Sequence, residues 1–277
     1  MKKLLLALAS LFNCCCIKAN DDTPKTFIVA HRGNSSEAPE NTLAAFRSAW
    51  DNGINYVETD VYQTIDNEII CLHDNNLNRV SPGAGEKFVR EMTLAEVKSF
   101  DVGSWKGEQF ANEKVPTLEE FFAELPSHIK VFLEIKSVND DFPLLLADLM
   151  KKYNIAQERI VIISFKEDAL QNINKLTPGF KTNLLCTIKN SEENPEKLEL
   201  SADDLIKKLK ALGVSGVDAN VGTAIDKKYI SQVQKAGLEF HVWTIDKIEV
   251  AQKLYDAGIN SITTNRPIQI KAELKIK

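Results

Sequence analysis

Acidic and imidazole side chains stand near the ends of several predicted strands, where they could share one catalytic site. Glu58 and Asp60 alternate along one strand and therefore point to the same face, and Glu134 occupies a similar place in a later strand. His31 follows the first strand, and His73 follows a short strand next to the second. The carboxyl ends of parallel strands in a β/α barrel converge on one rim, so we expect these five groups to lie together there.

The three carboxylates predict a metal site. With neither cysteine nor paired histidines beside them, they favour a hard, oxygen-binding cation, so we expect one divalent ion, Mg²⁺ or Ca²⁺, rather than zinc. Clustered carboxylates would repel one another strongly without such an ion. Considered alone, Glu58 and Asp60 are explained equally well as a solvated strand end with salt bridges, but Glu134 from a neighbouring strand favours the metal.

The histidines divide into two groups. His31 and His73 are expected on the same rim as the carboxylates, where two imidazoles beside a metal can act as general acid and general base. His128 precedes a strand at the opposite end of the barrel, and His241 lies one layer below Trp243 on the same strand face. A structural role is predicted for these two.

From Thr26 onward, short β-branched runs alternate with amphipathic stretches. The predicted strands are 27–30, 55–61, 68–72, 130–135, 159–164, 182–187, 215–218, 239–244 and 261–264, and the predicted helices are 41–50, 93–100, 118–124, 142–153, 168–175, 205–212, 228–236 and 248–257. Eight strand-helix units without a Gly-rich phosphate loop indicate the α/β class and favour a closed (β/α)8 TIM barrel over an open sheet. We predict one barrel domain over 26–277, with a small insertion after the second strand at about 75–117 that lies over the barrel mouth.

The first twenty residues have a different composition. Lys2 and Lys3 precede an apolar run from Leu4 to Phe12, which is too short to span a bilayer and is typical of a secretory signal. Cys14, Cys15 and Cys16 follow, as in a bacterial lipoprotein signal, although Asn13 is a poor match to the small residue expected before the lipidated cysteine. The expectation is therefore an exported bacterial protein, either released into the periplasm or attached to the membrane through a lipidated N-terminal Cys.

Composition excludes some classes of function. The chain has 277 residues, 44% of them hydrophobic and 26% charged, with a formal net charge of −5, which is ordinary for a globular protein. An acidic chain with no basic run lacks the electrostatic signature of nucleic-acid binding. Cys71 and Cys186 match neither a disulfide framework nor a zinc site, so both are predicted to be buried thiols, with a single bridge as the alternative. The sequence indicates no particular oligomeric state.

An ordered set of short motifs resembles the glycerophosphodiester phosphodiesterase family. It runs from the first predicted strand to the last and comprises His31-Arg32-Gly33, Pro39-Glu40-Asn41-Thr42, Glu58-Thr59-Asp60-Val61, Thr64 with Asp66, His73-Asp74, Val115-Pro116-Thr117-Leu118-Glu119-Glu120, Leu133-Glu134-Ile135-Lys136, Val242-Trp243-Thr244 and Thr263-Thr264-Asn265-Arg266-Pro267. His-Arg-Gly alone is a weak signal, whereas the complete set in this order is specific. Asn67 and Asn265 depart from the glycine and aspartate that the family commonly has, and we expect both departures to affect only local turn geometry.

The resemblance implies a function and assigns roles. It implies metal-dependent hydrolysis of glycerophosphodiesters to glycerol 3-phosphate and an alcohol. In this scheme Glu58, Asp60 and Glu134 hold the metal, and His31 with His73 form the acid-base pair. The resemblance also implies that Arg32 and Lys136 bind the phosphate, and that Trp243 lies against the glycerol or alcohol part of the substrate. For Trp243, packing in the barrel core is the alternative.

Other interpretations of the sequence stay open. Asn41 or Thr42 could simply cap the following helix, and Glu40 has no assigned role. A phospholipase D-like or phosphoinositide-cleaving enzyme would act on intact lipids and would need an apolar rim on the insertion; Trp105 and Phe110 are surrounded there by charged residues, which favours water-soluble headgroups. A non-catalytic phosphodiester-binding lipoprotein is a further alternative, because a fold alone does not establish turnover.

Overall fold

The computed structural model describes residues 26–276, in which eight parallel strands close into a barrel. The strands are β1 (Phe27–Ala30), β2 (Tyr56–Gln63), β3 (Ile69–Cys71), β4 (Lys130–Ser137), β5 (Ile160–Ser164), β6 (Lys181–Ile188), β7 (Gly216–Val221), β8 (Glu239–Val242) and β9 (Ser261–Thr264). Neighbours follow the order β1-β9-β8-β7-β6-β5-β4-β2, and pairing of β1 with β2 completes the ring. The extra strand β3 lies outside the ring and pairs antiparallel with the end of β2. The predicted (β/α)8 TIM barrel is confirmed.

Apart from the second helix, which belongs to the insertion described below, helices cover the outside of the ring. In chain order the helices are α1 (Leu43–Asp51), α2 (Leu94–Ser99), α3 (Leu118–Glu124), α4 (Phe142–Lys152), α5 (Glu167–Leu176), α6 (Ala202–Leu212), α7 (Lys227–Lys235), α8 (Ile248–Asp256) and α9 (Pro267–Glu273). The last of them was not predicted from the sequence. Its first residue is Pro267, which suits the first turn of a helix because that position needs no backbone N–H.

Alternation along the strands separates two cores. Side chains that point outward pack against the helices in one large apolar layer, which includes Val57, Leu133 and Ile162. Side chains that point inward form a smaller cluster inside the barrel, built on Val29, Phe132, Val161, Ile163 and Leu185. Glu58, Asp60 and Glu134 share the inward face with this cluster because they lie an even number of residues from Tyr56 or Phe132. The apolar cluster inside the barrel is therefore followed by a layer of charged groups on the same inward face.

The insertion between β3 and β4 has a small core of its own. Val89, Met92 and Val97 pack with Ile70 and Leu72 beside the outer strand. The segment contains α2 and two short 3₁₀ turns, at Val89–Glu91 and Glu108–Phe110. Two capping boxes fix its course, because the side chain of Thr93 begins α2 and that of Thr117 begins α3, each paired with a glutamate three residues later.

The leader and its three cysteines lie outside the described residues, so export and lipidation stay predictions. Within 26–276, no helix combines the length and the apolar character needed to cross a membrane. Cys71 is buried as expected, whereas Cys186 is only partly buried, and the two thiols are free rather than bridged.

Candidate active site

The three predicted metal-binding carboxylates lie together at the mouth of the barrel. Asp60 on β2 stands beside Glu134 on β4 in the parallel register, and Glu58 lies one inward-facing position below Asp60. Each of the three carboxylates offers one oxygen to a common site, and these three oxygens lie within 4.8 Å of one another. All three residues are buried, with exposed fractions of 2%, 0% and 8% for Glu58, Asp60 and Glu134.

Burial strongly affects the ionisation of these carboxylates. It raises the pKa of Glu58 well above the usual range and raises that of Glu134 to about 8, and the negative charge of Asp60 adds to both effects. Burial opposes ionisation of Asp60 as well, but the cations of Lys136 and Arg32 outweigh it and hold the pKa of Asp60 below its ordinary value. One carboxylate therefore ionises easily while the other two need further positive charge nearby.

Two cations border the carboxylates. Lys136 Nζ lies 3.1 Å from Asp60 Oδ1 and 2.7 Å from Glu134 Oε1. Arg32 Nε lies 3.4 Å from Asp60 Oδ2, and the backbone N–H of Arg32 donates to Glu58 Oε2 at 2.8 Å. A guanidinium and an ammonium thus contact different oxygens of Asp60, and both line the cavity where they could bind the oxygens of a phosphate.

The donor set fits a hard divalent cation. Among the described residues, Oε1 of Glu58, Oδ1 of Asp60 and Oε1 of Glu134 are buried without a hydrogen bond, although the last two contact Lys136 as ion pairs. Buried polar atoms are rarely left without a partner in native proteins. A divalent ion bound by carboxylate oxygens would satisfy these three atoms and offset the repulsion between their charges.

The turn after β1 places Arg32 over this cluster. Arg32 and Gly33 have positive φ angles of 56° and 79°. A Cβ atom on Gly33 would lie 2.6 Å from the backbone carbonyl carbon of Ala45 in α1, so only glycine fits. The motif His31-Arg32-Gly33 therefore has a structural reason: glycine lets the chain turn back against α1 and directs the two preceding side chains towards the barrel mouth.

The side-chain amide of Asn265 holds the ring of His31. His31 Nδ1 lies 2.7 Å from Oδ1 of Asn265, and Nδ2 of Asn265 donates to Asp246 Oδ2 at 2.7 Å. Because Asp246 accepts a hydrogen bond from the NH₂ group of Asn265, the amide oxygen of Asn265 faces His31. His31 Nδ1 therefore donates to that oxygen, and His31 Nε2 is free to accept a proton. The expectation that the departure at 265 affects only the turn was wrong, because Asn265 contacts one of the two candidate catalytic histidines.

His73 is held by a carboxylate. Its Nδ1 lies 2.6 Å from Asp74 Oδ1, and Asp74 Oδ2 accepts a hydrogen bond from Arg79 Nε at 2.6 Å. Arg79 also donates to both oxygens of Glu40, and Glu40 Oε1 accepts a second hydrogen bond from Arg32. Sequence reasoning left Glu40 without a role and missed Arg79; the only signal was the position of Glu40 inside the matched Pro39–Thr42 motif.

Asn41 and Thr42, either of which was predicted to cap the following helix, act differently. Thr42 is the cap of α1, since its side-chain oxygen accepts from the backbone N–H of Ala45. Asn41 points the other way: its Nδ2 donates to Asp60 Oδ2 at 2.8 Å, and its Oδ1 accepts from Thr59. Asn41 therefore fixes the orientation of the most readily ionised carboxylate of the cluster.

A cavity of about 240 Å³ joins these groups. Its lining includes the charged and imidazole side chains of His31, Arg32, Glu58, His73, Glu134 and Lys136, and the aromatic side chains of Phe165 and Trp243. Trp243 and Phe165 meet edge to face with ring centroids 5.6 Å apart, and Trp243 Nε1 donates to the backbone oxygen of Asp218 at 3.0 Å. All eight predicted site residues thus border one small cavity or, in the case of Asp60, lie directly behind it.

The other two histidines lie away from this cavity. His128 is exposed in the turn before β4. His241 is buried inside the barrel, where its two ring nitrogens contact Ser261 and Glu239. Their positions agree with the structural roles predicted for them.

A TIM barrel whose mouth combines clustered carboxylates, two cations and two imidazoles defines a class of protein, the hydrolases of phosphate esters.

The chain matches the glycerophosphoryl diester phosphodiesterase family over residues 31–269. It is 33% identical to a glycerophosphodiester phosphodiesterase of Caldanaerobacter subterraneus over 247 residues, which is 88% of this chain and 95% of the relative. It is 29% identical to a glycerophosphodiester phosphodiesterase of Bacillus subtilis over 256 residues, which is 86% of this chain and 83% of that protein.

Solved structures agree with these relatives. A phosphodiesterase of Oleispira antarctica in complex with its product sn-glycerol-3-phosphate superposes with a TM-score of 0.76 at 27% identity, covering 90% of this chain and 96% of that one. A glycerophosphodiester phosphodiesterase of Parabacteroides distasonis superposes with a TM-score of 0.69 at 26% identity, covering 91% and 98%. The chain belongs to the glycerophosphoryl diester phosphodiesterase family and is an enzyme, a phosphoric diester hydrolase.

Proposed function

We propose that this enzyme hydrolyses glycerophosphodiesters to glycerol 3-phosphate and an alcohol, using one divalent cation and two histidines. The observation that carries the proposal is the set of three buried carboxylate oxygens without hydrogen bonds, beside two cations and two imidazoles in one cavity. A phosphodiester is a poor electrophile because its negative charge repels nucleophiles, and this cavity concentrates positive charge and proton carriers around one point.

Glu58, Asp60 and Glu134 would hold the cation, for which we propose Mg²⁺ or Ca²⁺. Their oxygen-only donor set suits both ions and disfavours zinc. When bound, such an ion would act as a Lewis acid that neutralises phosphate charge. Asn41 would support the site by keeping Asp60 turned towards the other two carboxylates, through the hydrogen bond from Nδ2.

Arg32 and Lys136 would bind the non-bridging oxygens of the phosphate. Both side chains are mostly buried, with 15% and 14% of their surface exposed, so their charges are weakly screened by water. The planar guanidinium of Arg32 can contact two oxygens at once, whereas the ammonium of Lys136 supplies a point charge. Charge that develops on these oxygens in the transition state would be stabilised by groups already in position.

His31 is the general base of the first step in this proposal. Burial is the main cause that lowers the pKa of His31 to about 4, and the adjacent charge of Arg32 adds to the effect, so the ring is neutral at pH 7. The amide oxygen of Asn265 accepts a hydrogen bond from Nδ1–H of His31, which leaves Nε2 able to accept a proton from the attacking oxygen. Neutral His31, oriented by the uncharged amide of Asn265, can therefore serve as the proton acceptor.

His73 is the general acid of the first step. Burial lowers its pKa as well, but Asp74 at Nδ1 opposes the change and would stabilise the protonated ring. Protonated His73 would give its proton to the departing alcohol. The attacking oxygen would be water or a neighbouring hydroxyl of the glycerol, which would form a cyclic phosphate; in the second case the two histidines exchange roles when water opens the ring.

Water-soluble diesters are the proposed substrates, rather than intact lipids. The cavity of about 240 Å³ is small, and the exposed aromatic residues around the insertion lie beside cations: Arg90 over Phe88, and Lys106 over Trp105. Trp105 is further tied to the insertion through its hydrogen bond to Val102 O. Such a rim is less suited to entering a bilayer than a continuous apolar surface would be. Trp243 would pack against the substrate's carbon atoms.

A headgroup panel tests the proposal. Enzyme treated with EDTA and then supplied with Mg²⁺ or Ca²⁺ would be given glycerophosphocholine, glycerophosphoethanolamine and glycerophosphoglycerol, with glycerol 3-phosphate measured by a coupled dehydrogenase. Release of glycerol 3-phosphate only after metal is restored is expected. Full activity in EDTA would contradict the metal site. Release of a headgroup phosphate in place of glycerol 3-phosphate would contradict the proposed position of cleavage, and turnover of phospholipid vesicles alone would favour the lipid-cleaving alternative.

A further inference from the structure

Two unpaired polar side chains line the cavity from strands other than those that carry the carboxylates. Asp218 on β7 and Thr263 on β9 both line it, with exposed fractions of only 1% and 2%. Among the described residues, Asp218 Oδ1 and Thr263 Oγ1 have no hydrogen-bond partner. These atoms lie outside the set of phosphate, metal and proton-transfer groups proposed above.

Their positions form a continuous surface. Asp218 stands beside His241 in the register of β7 and β8, and His241 stands beside Ser261 in that of β8 and β9. Thr263 lies two residues beyond Ser261, and Trp243 two residues beyond His241, so each is one inward-facing position higher on its strand. Three neighbouring strands thus present Asp218, Trp243 and Thr263 to the same cavity.

A bare carboxylate is unusual in this part of the barrel. The neighbouring inward-facing residues on β5 and β6 are Ile163 and Leu185, which are apolar and line the same cavity. Burial raises the pKa of Asp218 to about 6, so the group is still ionised at pH 7 and its charge is poorly solvated. An ionised buried carboxylate is costly unless donors reach it, and the protein supplies none to Oδ1. Hydroxyl groups of a ligand would meet this need.

We propose that Asp218 and Thr263 form a hydroxyl-binding floor that receives the glycerol end of the substrate and makes the enzyme select diesters with free hydroxyls on that end. The inference rests on the proposed diesterase function and adds to it the residues that recognise the polyol. A hydroxyl group would donate to Asp218, and Thr263 can either donate or accept. The carbon atoms between the hydroxyls would lie against Trp243. The opposite ester group would then point towards the open mouth, where different headgroups fit.

A pair of matched esters tests this role, and the deciding readout is how substitution of Asp218 or Thr263 changes the ratio of their rates, because a hydroxyl of the glyceryl ester could also be the attacking group. The glyceryl ester and the propyl ester of p-nitrophenyl phosphate have the same leaving group and differ only in two hydroxyls. The parent enzyme is expected to show a kcat/KM about a hundredfold higher for the glyceryl ester, because a site built to bind hydroxyls discriminates strongly against ligands that lack them. Asp218→Asn and Thr263→Val keep the side-chain shape, and each should reduce this ratio, by about tenfold or more for Asp218→Asn and by about twofold to tenfold for Thr263→Val.

Ser261→Ala is the matched control. Ser261 lies one layer lower on the same strand, and its hydroxyl contacts His241 rather than the cavity. The control should leave the ratio between the two esters unchanged. If the parent enzyme cleaved both esters equally well, the proposed hydroxyl-binding role of Asp218 and Thr263 would be wrong, whereas the diesterase function would still hold. Variants that slow both esters by the same factor would also overturn hydroxyl binding, since they would indicate a purely structural role.

A binding measurement separates the floor from catalysis. Calorimetric titration with sn-glycerol 3-phosphate and with propyl phosphate should show about a hundredfold tighter binding of the former, and Asp218→Asn should narrow the difference at least tenfold. If the enzyme hydrolysed neither ester, the diesterase proposal would fail, and this titration would still decide whether the floor recognises hydroxyls. Equal affinities for sn-glycerol 3-phosphate and propyl phosphate would refute hydroxyl recognition by Asp218 and Thr263.

Discussion

The guanidinium of Arg79 binds the carboxylate of Glu40 with both terminal nitrogens, at 2.7 and 2.8 Å. The third nitrogen of Arg79 holds Asp74, which contacts His73, while Glu40 also accepts a hydrogen bond from Arg32. One arginine from the insertion therefore connects the proposed general acid with the proposed phosphate ligand. The insertion thus helps to position both groups.

Replacing Arg79 should impair catalysis although Arg79 itself lies outside the cavity. Arg79→Ala removes the support of Asp74 and Glu40, so we expect kcat to fall by about tenfold to a hundredfold with a smaller change in KM. Arg79→Lys should recover little, because an ammonium cannot reproduce the planar fork. Arg47→Ala is the control: it breaks the comparable but remote ion pair with Glu124 and should leave kcat unchanged. Equal effects of Arg79→Ala and Arg47→Ala on kcat would argue against the connection.

Either candidate catalytic histidine should be indispensable for turnover and dispensable for folding. We expect His31→Ala and His73→Ala to reduce kcat by about a hundredfold to ten-thousandfold, the usual contribution of a positioned acid or base. Thermal unfolding should remain cooperative in both variants. His128→Ala, which changes an exposed histidine, should retain full activity. Near-normal kcat in the His31 or the His73 variant would reject its assignment as an acid or a base.

Amide substitutions test the metal ligands separately from activity. Glu58→Gln, Asp60→Asn and Glu134→Gln should each require a higher concentration of Mg²⁺ or Ca²⁺ for half-maximal activity, and should reduce the rise in Tm that the ion produces. Because burial without an ion opposes ionisation of Glu58, Glu58→Gln in EDTA should unfold at a temperature no lower than that of the parent. Glu124→Gln, on α3, is the control. An unchanged metal response in all three variants would exclude this cluster as the binding site.

The alternation of strands and helices could be read from the sequence because burial imposes it. The inward positions of β2 and β4 place Glu58, Asp60 and Glu134 on one face by strand geometry alone, so the carboxylate cluster was predictable. Contacts between loops were not predictable in this way. Arg79 reaches Glu40 across 39 positions of sequence, and His31 reaches Asn265 across 234, and no local pattern specifies either pair. The helix α9 was missed because it is short and follows the last strand after only two residues.

The pH dependence of activity should depend on residue 265. Since the proposed base must be neutral and the pKa of His31 is about 4, kcat/KM of the parent should fall as the pH drops through about 4. Asn265→Asp would place a negative charge beside Nδ1, where the neutral amide oxygen now lies at 2.7 Å, and a second carboxylate, Asp246, stands behind it. Negative charge favours the imidazolium and raises the pKa of His31. The fall of kcat/KM at low pH, which is the acid limb of the pH profile, should therefore move to higher pH.

The comparison requires a control for charge and for metal binding. Asn52→Asp adds the same charge at the exposed end of α1 and should leave the acid limb in place. Profiles recorded at saturating metal at every pH exclude loss of the ion as the cause. The Asn265→Asp variant should then lose activity at pH 5 while retaining most of it at pH 8. An acid limb that stays in place or moves to lower pH would show that His31 is not the base whose protonation limits the rate.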